Sequence, residues 1–334
     1  MEKPLPRIAV VIPNWNCADD LRDCLDSLEA QPGVELELMV VDNGSTDGSL
    51  EFLRARGTPH LTLPRNLGFA RAVNLGVDST DAPLVLALNA DTVVAGDALE
   101  RLAQKLAAEQ GLAGIQPRIL ALVRGETGDP DDPETRIYSL GQALTADGRA
   151  YERRIGKPQG RGEMPSGQIF GVCGAACMFR REALEELGGY DERYFAFYED
   201  VDLNVRARIA GWSFRLEPAA VVWHVGNAAW QAGFERPSAE NARLVARNRL
   251  CTQVKFMPLR SLPRIVAVEA GSIWRAVRER RLGPTLSGKL SAFRLLPEML
   301  RERRRLERNG EVELARGWLG ASADGAPVAT VHRQ

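Results

Sequence analysis

The chain has 334 residues, 45% of them apolar and 26% charged, and a net charge of −1, values ordinary for a globular protein with one large α/β domain and an appendage. Its five cysteines lack paired spacing, which excludes a disulfide framework, and no apolar run approaches the ~18–20 residues of a membrane span. Its N-terminal residues lack the apolar core of a signal peptide, so we expect a cytoplasmic protein with reduced thiols.

The first part of the chain alternates predicted strands with predicted helices. Strands are expected where β-branched and apolar residues form short runs, and helices where apolar residues recur every three or four positions. This alternation predicts an α/β fold, with a mostly parallel central sheet flanked by helices. The predicted strands are Arg7–Ile12, Leu36–Val41, His60–Leu63 and Leu84–Leu88, and the last helix of this part is Gly96–Glu109.

The strand at Leu84–Leu88 is expected to lie centrally, because its five consecutive apolar residues suit burial on both faces. It stops at Asn89 and Asp91, two polar residues that flank a small one. In open α/β sheets ligands bind beyond the carboxyl ends of the strands, and a carboxylate there suits Mg²⁺ or Mn²⁺ together with a diphosphate. The alternative for Asp91 is a cap of the following helix or a closing turn.

The second half of the chain is less regular. Two polar stretches, Gly125–Pro133 and Arg149–Gly167, are predicted to be long loops, and from Ala239 onward the pattern becomes helical. The other predicted elements are a bent strand at Gln168–Phe179, helices at Arg181–Leu187, Glu199–Ala210, Ile265–Arg281 and Leu286–Arg308, and short strands at Phe214–Leu216 and Ala219–Trp223.

Charge is unevenly distributed along the chain. Residues 255–308 carry fourteen Lys and Arg against five Glu, an excess of nine positive charges. A basic amphipathic helical segment suits an anionic lipid surface. Alternatively, its apolar stripe packs on the rest of the chain or on a sister chain while the arginines face water. No nucleic-acid-binding motif accompanies the charge, so nucleic acid is not expected as a partner.

Polar side chains also follow other strand ends. Asp42 follows the second strand and either accepts hydrogen bonds from a nucleobase or ribose, or fixes a turn with Gly44. His224 follows a late strand, where the alternatives are a metal ligand and a structural or solvated side chain. Neither a Gly-rich dinucleotide loop nor a Walker sequence occurs, so a nucleotide site would depend on such side chains.

A second acidic group, Glu199, Asp200 and Asp202, lies at the start of a predicted helix. Acids at this position interact favourably with the helix dipole, which is the structural alternative. The preceding aromatic residues favour another role, because apolar neighbours raise the pKa of a carboxyl toward the range of a general base. Since Asp202 is spaced to pair with Arg206, Asp200 is the better candidate for the base.

Six motifs occur in the order of a known family and span roughly residues 7–254. By these motifs the chain resembles the family 2 inverting glycosyltransferases of the GT-A fold, and among them the bacterial rhamnosyltransferase-like enzymes of cell-surface polysaccharide synthesis. The motifs are Val-Ile-Pro-Asn-Trp-Asn (11–16), Val-Asp-Asn-Gly-Ser-Thr-Asp-Gly-Ser (41–49), Arg-Asn-Leu-Gly-Phe-Ala (65–70), Leu-Asn-Ala-Asp (88–91), Tyr-Glu-Asp-Val-Asp-Leu (198–203) and Trp-His (223–224).

The resemblance implies a nucleotide site made by five residues. Asp42 would hold the nucleobase, with Pro13 and Asn43 nearby. Arg65 and Asn66 would face the nucleotide.

The resemblance also implies the metal site and the base. Asp91 would be the metal-binding last acid of an Asp-x-Asp motif, and His224 would help to hold the metal, Mg²⁺ or Mn²⁺, or the diphosphate. Asp200 would be the catalytic base. This chain departs from the family pattern at Asn89, which replaces the first acid of the motif and can contact ribose or a metal-bound water without adding charge.

The function implied by the resemblance is an inverting, metal-dependent transfer of a sugar from a nucleotide-diphosphate sugar, with dTDP-rhamnose favoured as the donor, to a polysaccharide or polyprenyl-linked acceptor. The expected organisation is a GT-A domain at 1–254, a basic amphipathic helical extension at 255–310 and a flexible tail at 311–334. The extension would place the protein on the inner face of the cell membrane.

Two other classes of function are weighed against this one. A nucleotidyltransferase normally places a Gly-rich, Arg-containing loop after its first strand, which the sequence at 13–16 does not provide. A catalytically inactive sugar-nucleotide-binding or membrane scaffold module is favoured only by Asn89.

Overall fold

The computed structural model describes residues 4–162, 164–226 and 238–308, which form one large sheet, a small hairpin, and helices around them. The strands are β1 (Arg7–Asn14), β2 (Glu35–Asp42), β3 (His60–Thr62), β4 (Leu84–Leu88), β5 (Thr92–Val94), β6 (Leu112–Val123), β7 (Ile137–Ser139), β8 (Gln142–Leu144), β9 (Ala150–Glu152), β10 (Gly167–Ile169), β11 (Ala176–Arg180) and β12 (Ser213–Gly226). The helices are α1 (Ala18–Glu29), α2 (Ser49–Arg56), α3 (Phe69–Asp78), α4 (Ala98–Ala108), α5 (Arg181–Leu187), α6 (Glu199–Ile209), α7 (Ala239–Phe256), α8 (Leu262–Arg278), α9 (Leu282–Ala292) and α10 (Leu296–Arg308).

The large sheet has the order β10-β12-β6-β11-β4-β1-β2-β3. Neighbours β4, β1, β2 and β3 are parallel, so their carboxyl ends lie on one edge of the sheet, and Asn14 at the end of β1 is opposite Asp42 at the end of β2. Parallel pairing continues between β6 and β12, while β11 is antiparallel to both of its neighbours. The predicted α/β class with a mostly parallel central sheet is confirmed.

Two apolar cores lie on the two faces of the sheet. Successive residues of β4 alternate between them, with Leu86 in one core and Val85 in the other, and both of these side chains are fully buried. Helices α1 and α4 cover the first face, and α3 and α6 cover the second. The burial on both faces explains why β4 is uniformly apolar, since each such side chain contributes roughly 1.5–3 kcal/mol when fully buried.

Several predicted element bounds need correction. The central strand is not among them, because it ends at Leu88, where its run of five apolar residues ends, as predicted. The long strand β6 was not predicted. The predicted bent strand at Gln168–Phe179 is two strands, β10 and β11, which pair with different neighbours.

The late strands and helices also differ from the prediction. The two short strands predicted at 214–223 are a single strand, β12, with an irregular register between Glu217 and Val221. The helix predicted at Leu286–Arg308 is two helices, α9 and α10, and the predicted domain boundary at 254/255 falls within α7. Residues 309–334, which include the predicted flexible tail, lie outside the described residues.

The last helices contact the rest of the protein through charged groups. The ammonium of Lys255 at the end of α7 is almost fully buried, and its Nζ lies 2.7 Å from Asp202, 3.1 Å from Asp191 and 2.7 Å from Glu302. Arg303 of α10 donates to the carbonyls of Val254 and Met257. Within the part of the chain that the structure describes, no helix is both long and apolar enough to cross a bilayer.

Candidate active site

The carboxyl ends of β1, β2 and β4 bring together the first group of predicted site residues. Asp42 is 1% exposed, and its carboxylate accepts hydrogen bonds from Asn14 Nδ2 at 3.1 Å and from the backbone N–H of Ser45 at 3.2 Å. The second bond closes the turn that the sequence offered as the alternative role for Asp42.

The loops after β2 and β3 are tied to each other by side-chain amides. Asn43 donates from Nδ2 to Asn66 Oδ1 and to the carbonyl of Gly68, and its Oδ1 accepts from the backbone of Leu67. Gly44 has φ +76°, and a Cβ there would lie 2.5 Å from the Cα of Arg65, so only glycine allows this approach.

Two other residues predicted to form the nucleotide site remain accessible. The side chain of Arg65 is exposed beside the carboxyl ends of the strands, and Pro13 is half-buried. Asn43 and Asn66 therefore have a structural role, while Arg65 is available to a ligand.

Asp91 and His224, predicted as metal ligands, lie next to each other although 133 positions separate them in the chain. Antiparallel pairing of β5 with β12 places His224 opposite Thr92, and Asp91 Oδ1 is 3.6 Å from His224 Nε2. The ring of His224 stacks on that of Tyr138, with centroids 4.3 Å apart and planes at 7°.

This pair fits a divalent cation. One carboxylate oxygen and one imidazole nitrogen at this separation can contact a single ion. A single carboxylate does not neutralise a divalent cation, so the cation can also bind a diphosphate. Asn89, which replaces an acid, lines the neighbouring cavity instead of adding a second carboxylate.

Asp200 lies in the first turn of α6 and faces a cavity of about 570 Å³. Its Oδ2 accepts from the backbone N–H of Gly174 at 3.0 Å and from Gln142 Nε2 at 2.6 Å. Burial raises the pKa of Asp200, and these hydrogen bonds oppose the rise by stabilising the charged form.

The chain before Asp200 adopts a backbone that few residues tolerate. Phe195, Phe197 and Tyr198 all have φ between +66° and +68°. Such conformations persist only where the surroundings enforce them. Asn248 of α7 does so by directing Nδ2 at the carbonyls of Tyr194, Ala196 and Phe197, each 2.7–2.8 Å away.

Glu152, in the β8–β9 hairpin, is a site residue that the sequence analysis missed. Gln142 Nε2 donates to Glu152 Oε1 at 2.9 Å as well as to Asp200, so one amide joins the two carboxylates. The other oxygen of Glu152 bonds to Ser139 Oγ. Burial and the charge of Asp200 raise the pKa of Glu152 to about 7. Glu152 lies in a stretch predicted to be a loop, and nothing in the sequence signals its partner.

Burial raises the pKa of two further groups near Asp200, Glu199 and Cys173. Burial and the charge of Asp200 raise the pKa of Glu199 well above its ordinary value, and its Oε2 has no hydrogen-bond partner among the described residues. Ligand atoms of Glu152, Cys173 and Asp200 lie within 4.8 Å of one another. Burial also raises the pKa of the Cys173 thiol, which makes this cluster a poor site for a hard cation.

Asp202, the other acid of this helix, points away from the cavity. It is fully buried, its Oδ2 lies 2.6 Å from Arg206 Nε, and its Oδ1 accepts from Lys255. The predicted pairing of Asp202 with Arg206 is confirmed, and Asp200 is the carboxylate that faces the cavity.

Comparison with known proteins gives consistent matches. The model of the family described as Glycosyl transferase family 2 matches residues 9–188. An N-acetylglucosaminyltransferase of Mesorhizobium japonicum is 29% identical over 234 aligned residues, covering 66% of this chain and 51% of that protein. An N-acetylglucosaminyl-diphospho-decaprenol L-rhamnosyltransferase of Mycobacterium tuberculosis is 29% identical over 255 aligned residues, covering 67% of this chain and 76% of that protein.

A solved structure with a similar fold is that of GalNAc-T7 with UDP, GalNAc and Mn²⁺, with a TM-score of 0.59 and 16% identity over 76% of this chain and 49% of that chain. This chain thus spans about half the length of two of these relatives.

Proposed function

The chain belongs to glycosyl transferase family 2 and has the GT-A fold, and from this premise we propose that it transfers a sugar, with inversion, from a nucleotide-diphosphate sugar to a glycan or polyprenyl-linked acceptor. The observation that carries the proposal is the position of Asp200, a hydrogen-bonded carboxylate that faces a cavity beside the carboxyl ends of the parallel strands.

The donor would bind at the carboxyl ends of β1, β2 and β4, which we call the donor edge. Arg65 would contact the nucleotide, with Pro13, Asp42, Asn43 and Asn66 shaping the base site. This assignment is supported by the exposure of Arg65 beside loops that hydrogen bonds hold in place.

Asp91 and His224 would hold Mg²⁺ or Mn²⁺, which supplies charge stabilisation for the departing diphosphate. The Mn²⁺ named with GalNAc-T7 supports a divalent cation here. Asn89 lies between the donor edge and the Asp200 cavity, where its amide can contact the ribose or the transferred sugar.

The acceptor would bind in the cavity of about 570 Å³ that Asp200 lines, which we call the acceptor pocket. Asp200 Oδ2 would take the proton of the acceptor hydroxyl as its oxygen attacks the anomeric carbon opposite the leaving diphosphate. A single displacement inverts that carbon and needs no covalent nucleophile. Gly174 and Gln142 orient the carboxylate for this step.

The name of the relative from Mycobacterium tuberculosis specifies L-rhamnosyl transfer to a polyprenyl diphosphate-linked sugar, which supports a rhamnose donor, for which we propose dTDP-rhamnose, and an acceptor of that lipid-linked kind. The exposed apolar residues of α8 and α9, together with the basic charge of residues 255–308, support contact of this face with a membrane surface.

A panel of nucleotide sugars, incubated with the full chain, Mn²⁺ and acceptor extracts, tests the proposal. We expect release of nucleoside diphosphate with one donor. Release of pyrophosphate instead would indicate a nucleotidyltransferase, and binding of donors without release of either would indicate an inactive binding module.

A further inference from the structure

A second cavity, of about 500 Å³, lies among helices α7, α8 and α9. It shares three lining residues with the acceptor pocket, namely Arg149, Val245 and Arg249. The two cavities are therefore neighbours, and a ligand that extends past these three residues can occupy both. Its volume lies within the range of small-molecule sites.

Positive charge dominates the lining of this second cavity. Four arginines face it, at positions 149, 249, 275 and 281, against a single acid, Glu279. Three of them have acidic partners, since Arg149 contacts Asp147, Arg249 contacts Glu269, and Arg281 lies 3.9 Å from Glu279.

Arg275 is different, because no carboxylate among the described residues lies within 4.0 Å of it. At the junction of the two cavities, burial lowers the pKa of Arg249, and the charge of Arg149 lowers it further. The two guanidinium groups thus repel each other, and an anion between the cavities would relieve that repulsion.

The helices that line the second cavity also carry exposed apolar residues. Trp274 lines the cavity and is 62% exposed. Val266 of α8, Leu290 of α9 and Phe293, which follows α9, are 59%, 67% and 61% exposed. A ligand that suits both the arginine-lined cavity and these apolar residues has an anionic part that contacts the arginines and an apolar part that lies on the protein surface.

We propose that the second cavity binds the diphosphate of a lipid-linked acceptor, whose sugar extends into the acceptor pocket and whose hydrocarbon chain lies on the exposed face of α8 and α9. Guanidinium groups suit this role because they bind phosphate oxygens through two parallel hydrogen bonds. The inference rests on the proposed function and adds to it the place where the acceptor's charge is recognised.

Calorimetric titration of the full chain with farnesyl diphosphate, in the presence of a saturating nucleoside diphosphate, tests the proposal. Farnesol and inorganic pyrophosphate serve as probes of the two halves of the ligand. The informative variant is Arg275→Ala, with Arg275→Lys to restore the charge. The matched control is Arg264→Ala, which removes an exposed arginine of the same helix that does not line the cavity.

We expect farnesyl diphosphate to bind more tightly than either probe, Arg275→Ala to weaken that binding about tenfold, and Arg275→Lys to recover part of it. Arg264→Ala should leave it unchanged. Equal affinity for farnesol, equal affinity for inorganic pyrophosphate, equal effects of the two alanine variants, or displacement by the nucleoside diphosphate would each overturn the proposal.

A transfer assay separates this inference from the proposed function. Arg275→Ala should raise the KM for an acceptor that carries the diphosphate and leave the KM for the same sugar without it unchanged. If no donor supports transfer, the proposed function fails while the titration still reports on the cavity. If transfer occurs and both KM values are insensitive to Arg275→Ala, only this inference fails.

Discussion

The donor edge and the acceptor pocket are neighbours in space but are built in different ways. The donor edge combines the ends of parallel strands that follow one another within residues 7–91, and His224 is added to it from a distant part of the chain. The acceptor pocket is assembled from the β8–β9 hairpin, the start of α6 and the distant helix α7. The family match, at residues 9–188, includes the strands of the donor edge and ends before Asp200 and α7. The comparison indicates that the donor edge depends mainly on local sequence patterns, whereas the acceptor pocket depends on contacts between residues far apart in the chain.

The largest effect expected on the acceptor side is that of Asp200→Asn. The substitution keeps the shape of the side chain and removes its basicity, so we expect turnover to fall on the order of 10²–10⁴-fold. Steady-state turnover with the donor identified in the panel measures it. Asp202→Asn serves as the comparison, because Asp202 contacts Lys255 and Arg206 and does not face the pocket. This variant should have a lower melting temperature and a near-normal turnover per folded molecule. The reverse outcome would assign the base to Asp202.

The dependence of the acceptor pocket on the last helices is tested by Lys255→Met. Burial disfavours the charge of Lys255, but Asp202, Asp191 and Glu302 outweigh it and raise its pKa. Removing the cation leaves three carboxylates that share only two guanidinium groups, those of Arg206 and Arg193, so we expect a loss of up to about 3–5 kcal/mol. Urea denaturation followed by circular dichroism measures this change. A loss below about 1 kcal/mol would show that α7 contributes little to holding the pocket.

Glu152→Gln tests the coupling between the two carboxylates of the pocket. A carboxyl whose pKa rises from 4.5 unfolded to about 7 folded destabilises the fold as pH increases through that window. Glutamine imitates the neutral form, so the variant should match the wild type at pH 5 and exceed its stability by about 1–3 kcal/mol at pH 8. Thermal melts at both pH values decide the matter. A stability difference that is the same at pH 5 and pH 8 would contradict the assigned protonation.

Membrane association is expected to be the weakest effect, and it concerns the exposed face of α8 and α9. The full chain should sediment with phosphatidylglycerol vesicles and be released at 1 M salt, where the Debye length is only ~3 Å. Trp274→Ser should reduce binding several-fold, since it removes an exposed aromatic residue. Equal sedimentation with neutral vesicles, or none with either kind, would argue against a membrane role. The intact chain is needed because Lys255 and Arg303 attach the last helices to the body.

The same division explains what could be predicted from the sequence. Asp42 and Asp91 could be predicted as polar residues at or just beyond the ends of strands. The signal is an apolar run followed by polar residues, and it lies within a few neighbouring positions. The β8–β9 hairpin and Glu152 could not be found, since both strands are three residues long and β9 lies in a polar stretch that was predicted to be a loop.

Contacts between residues far apart in the chain could not be predicted from the sequence either. The interaction of Asn248 with three carbonyls before Asp200 joins segments about fifty positions apart, and no periodicity encodes it. The place of Asp200 beside aromatic residues was predicted, but the amide that links it to Glu152 emerged only from the fold.

The most direct test of the division between donor edge and acceptor pocket is donor binding by calorimetry with Mn²⁺, measured for the wild type, Asp91→Asn and Asp200→Asn. Asp91→Asn removes the carboxylate beside His224, so it should weaken donor binding on the order of tenfold or more. Asp200→Asn should bind the donor as the wild type does, although its turnover is lost. Donor binding that is normal in Asp91→Asn and weakened in Asp200→Asn would contradict the account.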